Sequence, residues 1–141
     1  ESIRLAADPV RVAVAEAADV AVLKCSPLGG VRRALAVAEA CGLPCVVSSA
    51  LETSIGLAAE VALAAALPEL EFDCGLGTLS LLEGDVVRPE DEIRPVNGFL
   101  AVREFPPQPD PERLERYAAS PERERWWRER MARAARMIQS T

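Results

Sequence analysis

The sequence predicts an α/β chain, with short parallel strands alternating with helices, arranged as the last part of a larger barrel. Three observations support this. Short, β-branched apolar runs recur roughly every 25 residues with helix-length segments between them, the pattern of strand–helix repeats. Cap and stop residues bound the helical segments. Only three such units are present, and a closed barrel takes about eight strands. The chain opens on Glu1-Ser2-Ile3-Arg4 without an initiator Met, so it is expected to be a piece of something longer.

Taken in order, Asp8 is a good N-cap and Pro9 suits the first helical position, predicting a helix to about Ala18. Val20-Ala21-Val22-Leu23-Lys24 reads as a strand of the kind buried in parallel sheets. Ser26-Pro27-Leu28-Gly29-Gly30 reads as a loop. A second helix covers about Val31 to Cys41, with Gly42 as its stop. Cys45-Val46-Val47-Ser48 is the next strand, and a loop through Glu52 leads to a third helix, about Ser54 to Ala66, ended by Pro68. Leu70 to Cys74 is a further strand candidate before Gly75-Leu76-Gly77. Beyond Gly77 the pattern changes: Leu79–Val87 and Arg94–Val102 are expected to be short strands or extended segments. Phe105 to Pro109 reads as a stiff linker. Asp110-Pro111 and Ser120-Pro121 should each start a helix. The last, about Pro121 to Gln139, gathers Trp127, Met131, Ala134, Ala135 and Ile138 on one face, which should bury itself on the main body or a partner.

Composition narrows the function classes. The net charge of −6 argues against a general nucleic-acid binder. Residues 111–136 carry +3, but Glu124/Arg128 and Glu129/Arg133 are spaced for intrahelical pairing. No apolar run is long and clean enough to span a bilayer; Leu57–Leu67 is the nearest, and Glu60 interrupts it. No signal-peptide pattern is present. The four cysteines form no Cys-x-x-Cys pair, and no histidine exists to complete a zinc site. They are read as free thiols in a reducing cytoplasm.

Lys24 is the only lysine, since the other fifteen basic residues are arginine. Arginine almost never releases its proton, whereas a desolvated lysine can be tuned to do so. Lys24 ends an apolar strand, where a solvating charge is least expected. In barrels of parallel strands the chemistry sits at the C-terminal strand ends. Those ends offer Lys24, then Ser48 and Ser49, then Asp73, Cys74 and the Gly75–Gly77 loop. A cation beside two hydroxyls suits a small carboxylate substrate. Amides opening the helix after Thr53 would add to it. Glu52 is placed to bond Lys24 or a neighbour and fix its position, or only to favour the helix dipole. The serine pair can equally serve as local turn caps.

Together these residues resemble the enolase superfamily. Lys24 with Gly29-Gly30 resembles the lysine strand and turn of its muconate-lactonizing subgroup. Ser48-Ser49-Ala50-Leu51-Glu52-Thr53-Ser54-Ile55-Gly56-Leu57 and Gly75-Leu76-Gly77-Thr78-Leu79 are more specifically similar to the o-succinylbenzoate synthase branch, dehydratases of menaquinone biosynthesis. The resemblance covers roughly residues 1–85. It implies a (β/α)7β barrel with a capping domain. Residues 1–85 would be its last strand–helix units, and 86–141 would be C-terminal segments packing on barrel or cap. It implies Lys24 as catalytic lysine, Ser48, Ser49, Glu52, Gly75 and Gly77 as substrate-binding, and a magnesium cofactor. Glu1-Ser2 resembles the residues just after a metal-binding Asp, which places the magnesium ligands upstream of residue 1 and none in this chain. The N-terminal remainder would then be the chain's partner in a cytoplasmic monomer, and the chain alone would be inactive.

Other readings remain open. A racemase, epimerase or cycloisomerase of the same superfamily would also use Lys24. A non-catalytic α/β domain binding a small anion or a protein is the alternative from another class. A nucleotide-binding open sheet lacks its Gly-x-Gly-x-x-Gly turn.

Overall fold

The computed structural model describes residues 8–139. The resemblance noted at Glu1-Ser2 lies outside them. Helix α1 spans Asp8–Val14 and ends short of the predicted Ala18, because the backbone turns left-handed at Glu16 (φ 48°).

Strands β1 (Ala21–Leu23) and β2 (Cys45–Val47) pair in parallel, with Leu23 opposite Val47. The crossover between them contains α2 and α3. Residues 26–28, expected as loop, belong to a one-turn helix α2 (Cys25–Leu28), closed by Gly29 at φ 85°. Gly29 and Gly30 both hold positive φ, and the Gly30 carbonyl starts α3 (Val31–Cys41), which Gly42 ends at φ 60°. Helix α4 (Ser54–Ala66) follows β2.

Leu23, Ala34, Val47, Leu57 and Leu63 meet in one core between the strands, α3 and α4. The strands are buried on that side only. Val22, expected inside a sheet covered on both faces, is 49% exposed among the described residues.

The predicted strand at Leu70–Cys74 does not form. Residues 70–73 are exposed, and pairing starts later, at Gly75. There Gly75 donates to the Val47 carbonyl and accepts from Ser49 N–H, a single parallel bridge opposite Ser48. The chain then turns into a 3-10 helix at Gly77–Leu81, which stops the ladder. In segment 94–102 the extended pairing is confined to a Val96–Phe99 bridge around Asn97-Gly98, both at positive φ as a type I′ turn requires.

The two cap-plus-proline helices form as predicted. Asp110 accepts Arg113 N–H to open α5 (Pro111–Arg116), and Ser120 Oγ accepts Arg123 N–H at the start of α6 (Pro121–Gln139). Glu124 pairs with Arg128. The apolar face of α6, however, does not bury itself on the main body. Trp127, Met131 and Ile138 are exposed, and Trp126 and Trp127 stack edge-to-face on each other.

Candidate active site

The crossover brings the ends of β1 and β2 side by side, because register pairs Leu23 with Val47 and Ser48 N–H continues the ladder to the Leu23 carbonyl. Lys24 therefore leaves its strand next to Ser48 and Ser49. It is half-buried, and its Nζ donates to the Ser49 carbonyl at 2.8 Å. The side chain is thus turned across the strand ends rather than splayed into solvent. Ser48 is half-buried, and its hydroxyl makes only a long 3.5 Å contact to the Ser49 carbonyl. Ser49 differs: it is 4% exposed, its hydroxyl bonds Thr78 Oγ1, and it accepts Leu51 N–H at 3.1 Å.

Glu52 does not bond Lys24. Its Oε1 accepts the Ser26 hydroxyl at 2.8 Å and its Oε2 accepts Ala50 N–H at 2.6 Å. It therefore ties the loop after β1 to the loop after β2. Burial alone would raise its pKa, but these hydrogen bonds outweigh burial and hold the carboxyl below its ordinary range. The loop it braces contains Leu51 at φ 69°, a strained conformation for a bulky residue. Gly56 makes room for it, since a Cβ there would sit 2.6 Å from Glu52 Cγ.

Two further expectations change. Of the amides opening α4, that of Ser54 is not free for an anion: it donates to both carboxylate oxygens of buried Asp85 at 3.2 Å. Gly75 does sit against the site, where a Cβ would come within 3.0 Å of Ser48 Oγ. Gly77 is not joined to Lys24, Ser48 or Ser49 by any described hydrogen bond. It opens the 3-10 turn and lines a separate groove of about 610 Å³ with Val61, Phe72, Leu76 and Phe99. Residue patterns alone missed Ser26, Thr78 and Asp85. Thr78 lies in the quoted Gly75–Leu79 motif, but its bond to Ser49 spans 29 positions and leaves no local signature.

Cys25, beside Lys24, is no nucleophile: burial, and then the nearby Glu60 carboxyl, push its thiol up to about 12. All four cysteines are free thiols. Among the described residues no three carboxylate or thiol side chains are gathered to hold a metal ion, so these residues do not fit a magnesium site. Among them, too, no helix is long and apolar enough to cross a membrane.

Residues 1–109 match the family model described as enolase C-terminal domain-like. The chain belongs to that family. Among the relatives of this enolase-like chain, o-succinylbenzoate synthase of Thermobifida fusca (strain YX) is 68% identical over 103 residues, covering 73% of this chain and 32% of that protein. The o-succinylbenzoate synthase of Mycobacterium tuberculosis (strain ATCC 25618 / H37Rv) is 51% identical over 131 residues, covering 93% and 39%. Muconate lactonizing enzyme from Pseudomonas putida superimposes with a TM-score of 0.75 at 28% identity, over 84% of this chain and 34% of that one. The L-Ala-D/L-Glu epimerase from Bacillus subtilis gives 0.62 at 25% identity, over 77% and 29%. The chain spans about a third to two-fifths of the length of the curated relatives.

Proposed function

We propose that this chain supplies one catalytic lysine, Lys24, and the substrate-facing strand ends of an o-succinylbenzoate synthase, a dehydratase that works through an enediolate. The observation that carries the reading is the Lys24 ammonium, half-buried and held by the Ser49 carbonyl at 2.8 Å beside Ser48, in a chain at least half identical to proteins of that name.

The chemistry follows from placement. When an α-proton leaves a carboxylate substrate, negative charge grows on the carboxyl oxygens. The resemblance assigns proton removal to a lysine outside this chain, so Lys24 would stay charged and face the ring of the intermediate in a cation–π contact. Ser48 would border the succinyl end, with Ser49, Glu52, Gly75 and Gly77 shaping the loops around it.

The resemblance implies magnesium, which would stabilise the enediolate charge. The residues described here supply no ligand set for it. We assign the ligands, and the lysine that removes the proton, to the part of the relatives that this chain does not span. Residues 1–85 are then the last strand–helix units of a (β/α)7β barrel, and 86–141 the segments that pack on barrel or cap. The whole protein would act as a cytoplasmic monomer on a small carboxylate, with no part for nucleic acid or membrane.

The test is turnover by the full-length protein of the hydroxylated cyclohexene carboxylate that dehydrates to o-succinylbenzoate, assayed against racemisation of acylated amino acids. Dehydration without racemisation supports the synthase. The second reading, a racemase or cycloisomerase, draws on the likeness to the epimerase and the lactonizing enzyme, and racemisation alone would favour it.

A further inference from the structure

Glu60 stands in the middle of the most apolar helix of the chain, and the proposed chemistry makes no use of it. Its side chain is 0% exposed. Oε1 accepts the backbone N–H of Cys25 at 2.8 Å, across 35 positions, while Oε2 has no partner among the described residues. Cys25 directly follows Lys24 and is the first residue of α2. Its amide has no helical acceptor of its own, as for any first-turn amide. Glu60 thus reaches from α4 to the peptide where β1 ends and the lysine arm begins.

A leucine of similar size would fill the same slot without desolvating a carboxyl. The carboxyl adds an acceptor that leucine cannot supply. Lys24 is extended (φ −135°, ψ 125°), and the chain bends into α2 immediately after it. The direction of the lysine arm is therefore set by where the next amide is held.

We propose that Glu60 is a positioning residue for Lys24: it clamps the Cys25 amide and so aims the ammonium at the shared mouth beside Ser48 and Ser49. The proposal rests on reading Lys24 as the active lysine. Burial holds the Glu60 carboxyl above its ordinary range. What the clamp supplies to Cys25 is an oxygen acceptor, and a side-chain amide in its place supplies one too.

The test uses the full-length protein with Glu60→Leu and Glu60→Gln, reading kcat, KM, thermal unfolding and amide exchange at Cys25. Glu60→Leu should fold with a melting temperature within several degrees of the parent, since relief of the buried carboxyl offsets the orphaned Cys25 amide. Its Cys25 amide should exchange about tenfold faster or more, and kcat should fall about tenfold or more with KM little changed. Glu60→Gln keeps an oxygen acceptor and should restore both readings to within about threefold of the parent. Unchanged kcat or unchanged Cys25 exchange in Glu60→Leu overturns the proposal. So does a Glu60→Gln as impaired as Glu60→Leu, or a Glu60→Leu that does not fold, since the carboxyl would then be a structural requirement. If the parent neither dehydrates the cyclohexene substrate nor racemises acylated amino acids, the reading of Lys24 fails. Exchange at Cys25 in the three proteins would still decide whether Glu60 holds the strand end.

Discussion

Replacing Gly56 with alanine tests whether Glu52 braces the loop beside the proposed active site. A Cβ at residue 56 would lie 2.6 Å from Glu52 Cγ and 2.7 Å from its Cβ, so the Glu52 side chain must move. Moving it breaks the bonds to Ser26 Oγ and Ala50 N–H. Hydrogen bonds to a charged group contribute about 1.5–3 kcal/mol each when well buried, and about 1 kcal/mol each is reasonable at this half-exposed site. Alanine returns at most about 1 kcal/mol of helix propensity. The expected net loss is about 1 kcal/mol in urea unfolding at neutral pH, with turnover of the full-length protein reduced several-fold. The pH dependence has a definite sign. A carboxyl held below its ordinary value contributes stability that is present above the unfolded pKa, about 4.3, and is lost as pH falls through the folded value. The deficit of Gly56→Ala should therefore be full at pH 7 and shrink in acid below that unfolded value. In a Glu52→Gly background, where the clashing atoms and both bonds are already gone, adding Gly56→Ala should cost almost nothing further. A Gly56→Ala protein as stable as its parent at pH 7, with parental turnover, would refute the bracing role.

In the full-length protein, Lys24→Arg and Lys24→Ala should each lower kcat by about a thousandfold or more while the circular dichroism spectrum is kept; retained turnover would remove Lys24 from the mechanism. With its thiol pushed up to about 12, Cys25 holds only about one part in ten thousand thiolate at pH 8. It should resist alkylation of the folded protein, and peptide mapping that finds it modified as fast as the less buried Cys74 would count against that.

The elements most legible in the sequence are those with local causes. Gly42 closes α3, Pro68 follows α4, and Asp110 and Ser120 open the last two helices through their own side chains. The strand misread at Leu70–Cys74 shows the limit. Its apolar character is compatible with pairing, but the ladder is set by Val47 and Ser49, and their partner is Gly75. The same applies to α6, where Trp127, Met131 and Ile138 show a clear apolar face and nothing local says what covers it. At the site, Lys24 was legible because its residue type is unique in the chain. The partners that shape its surroundings were not, because Glu60, Thr78 and Asp85 act across 29 to 35 positions.

Two of the anion-binding groups expected at the strand ends are engaged within the protein, and this sharpens the division of labour in the serine pair. The Ser54 amide is taken by Asp85, and the Ser49 hydroxyl by Thr78 and Leu51. The Ser48 hydroxyl, whose one described hydrogen bond is a 3.5 Å contact, stays open to a carboxylate beside the Lys24 ammonium. Ser48→Ala should then raise KM several-fold and leave stability within about 0.5 kcal/mol. Ser49→Ala removes the partner of Thr78 and of the strained Leu51 from a buried position, so it should cost about 1–2 kcal/mol of stability. Its effect on KM should be small, because its hydroxyl is already committed. Kinetics and urea unfolding of the two variants separate the roles. A Ser49→Ala that raises KM without destabilising would mean that this hydroxyl turns outward to the substrate, and the division argued from its burial would be wrong.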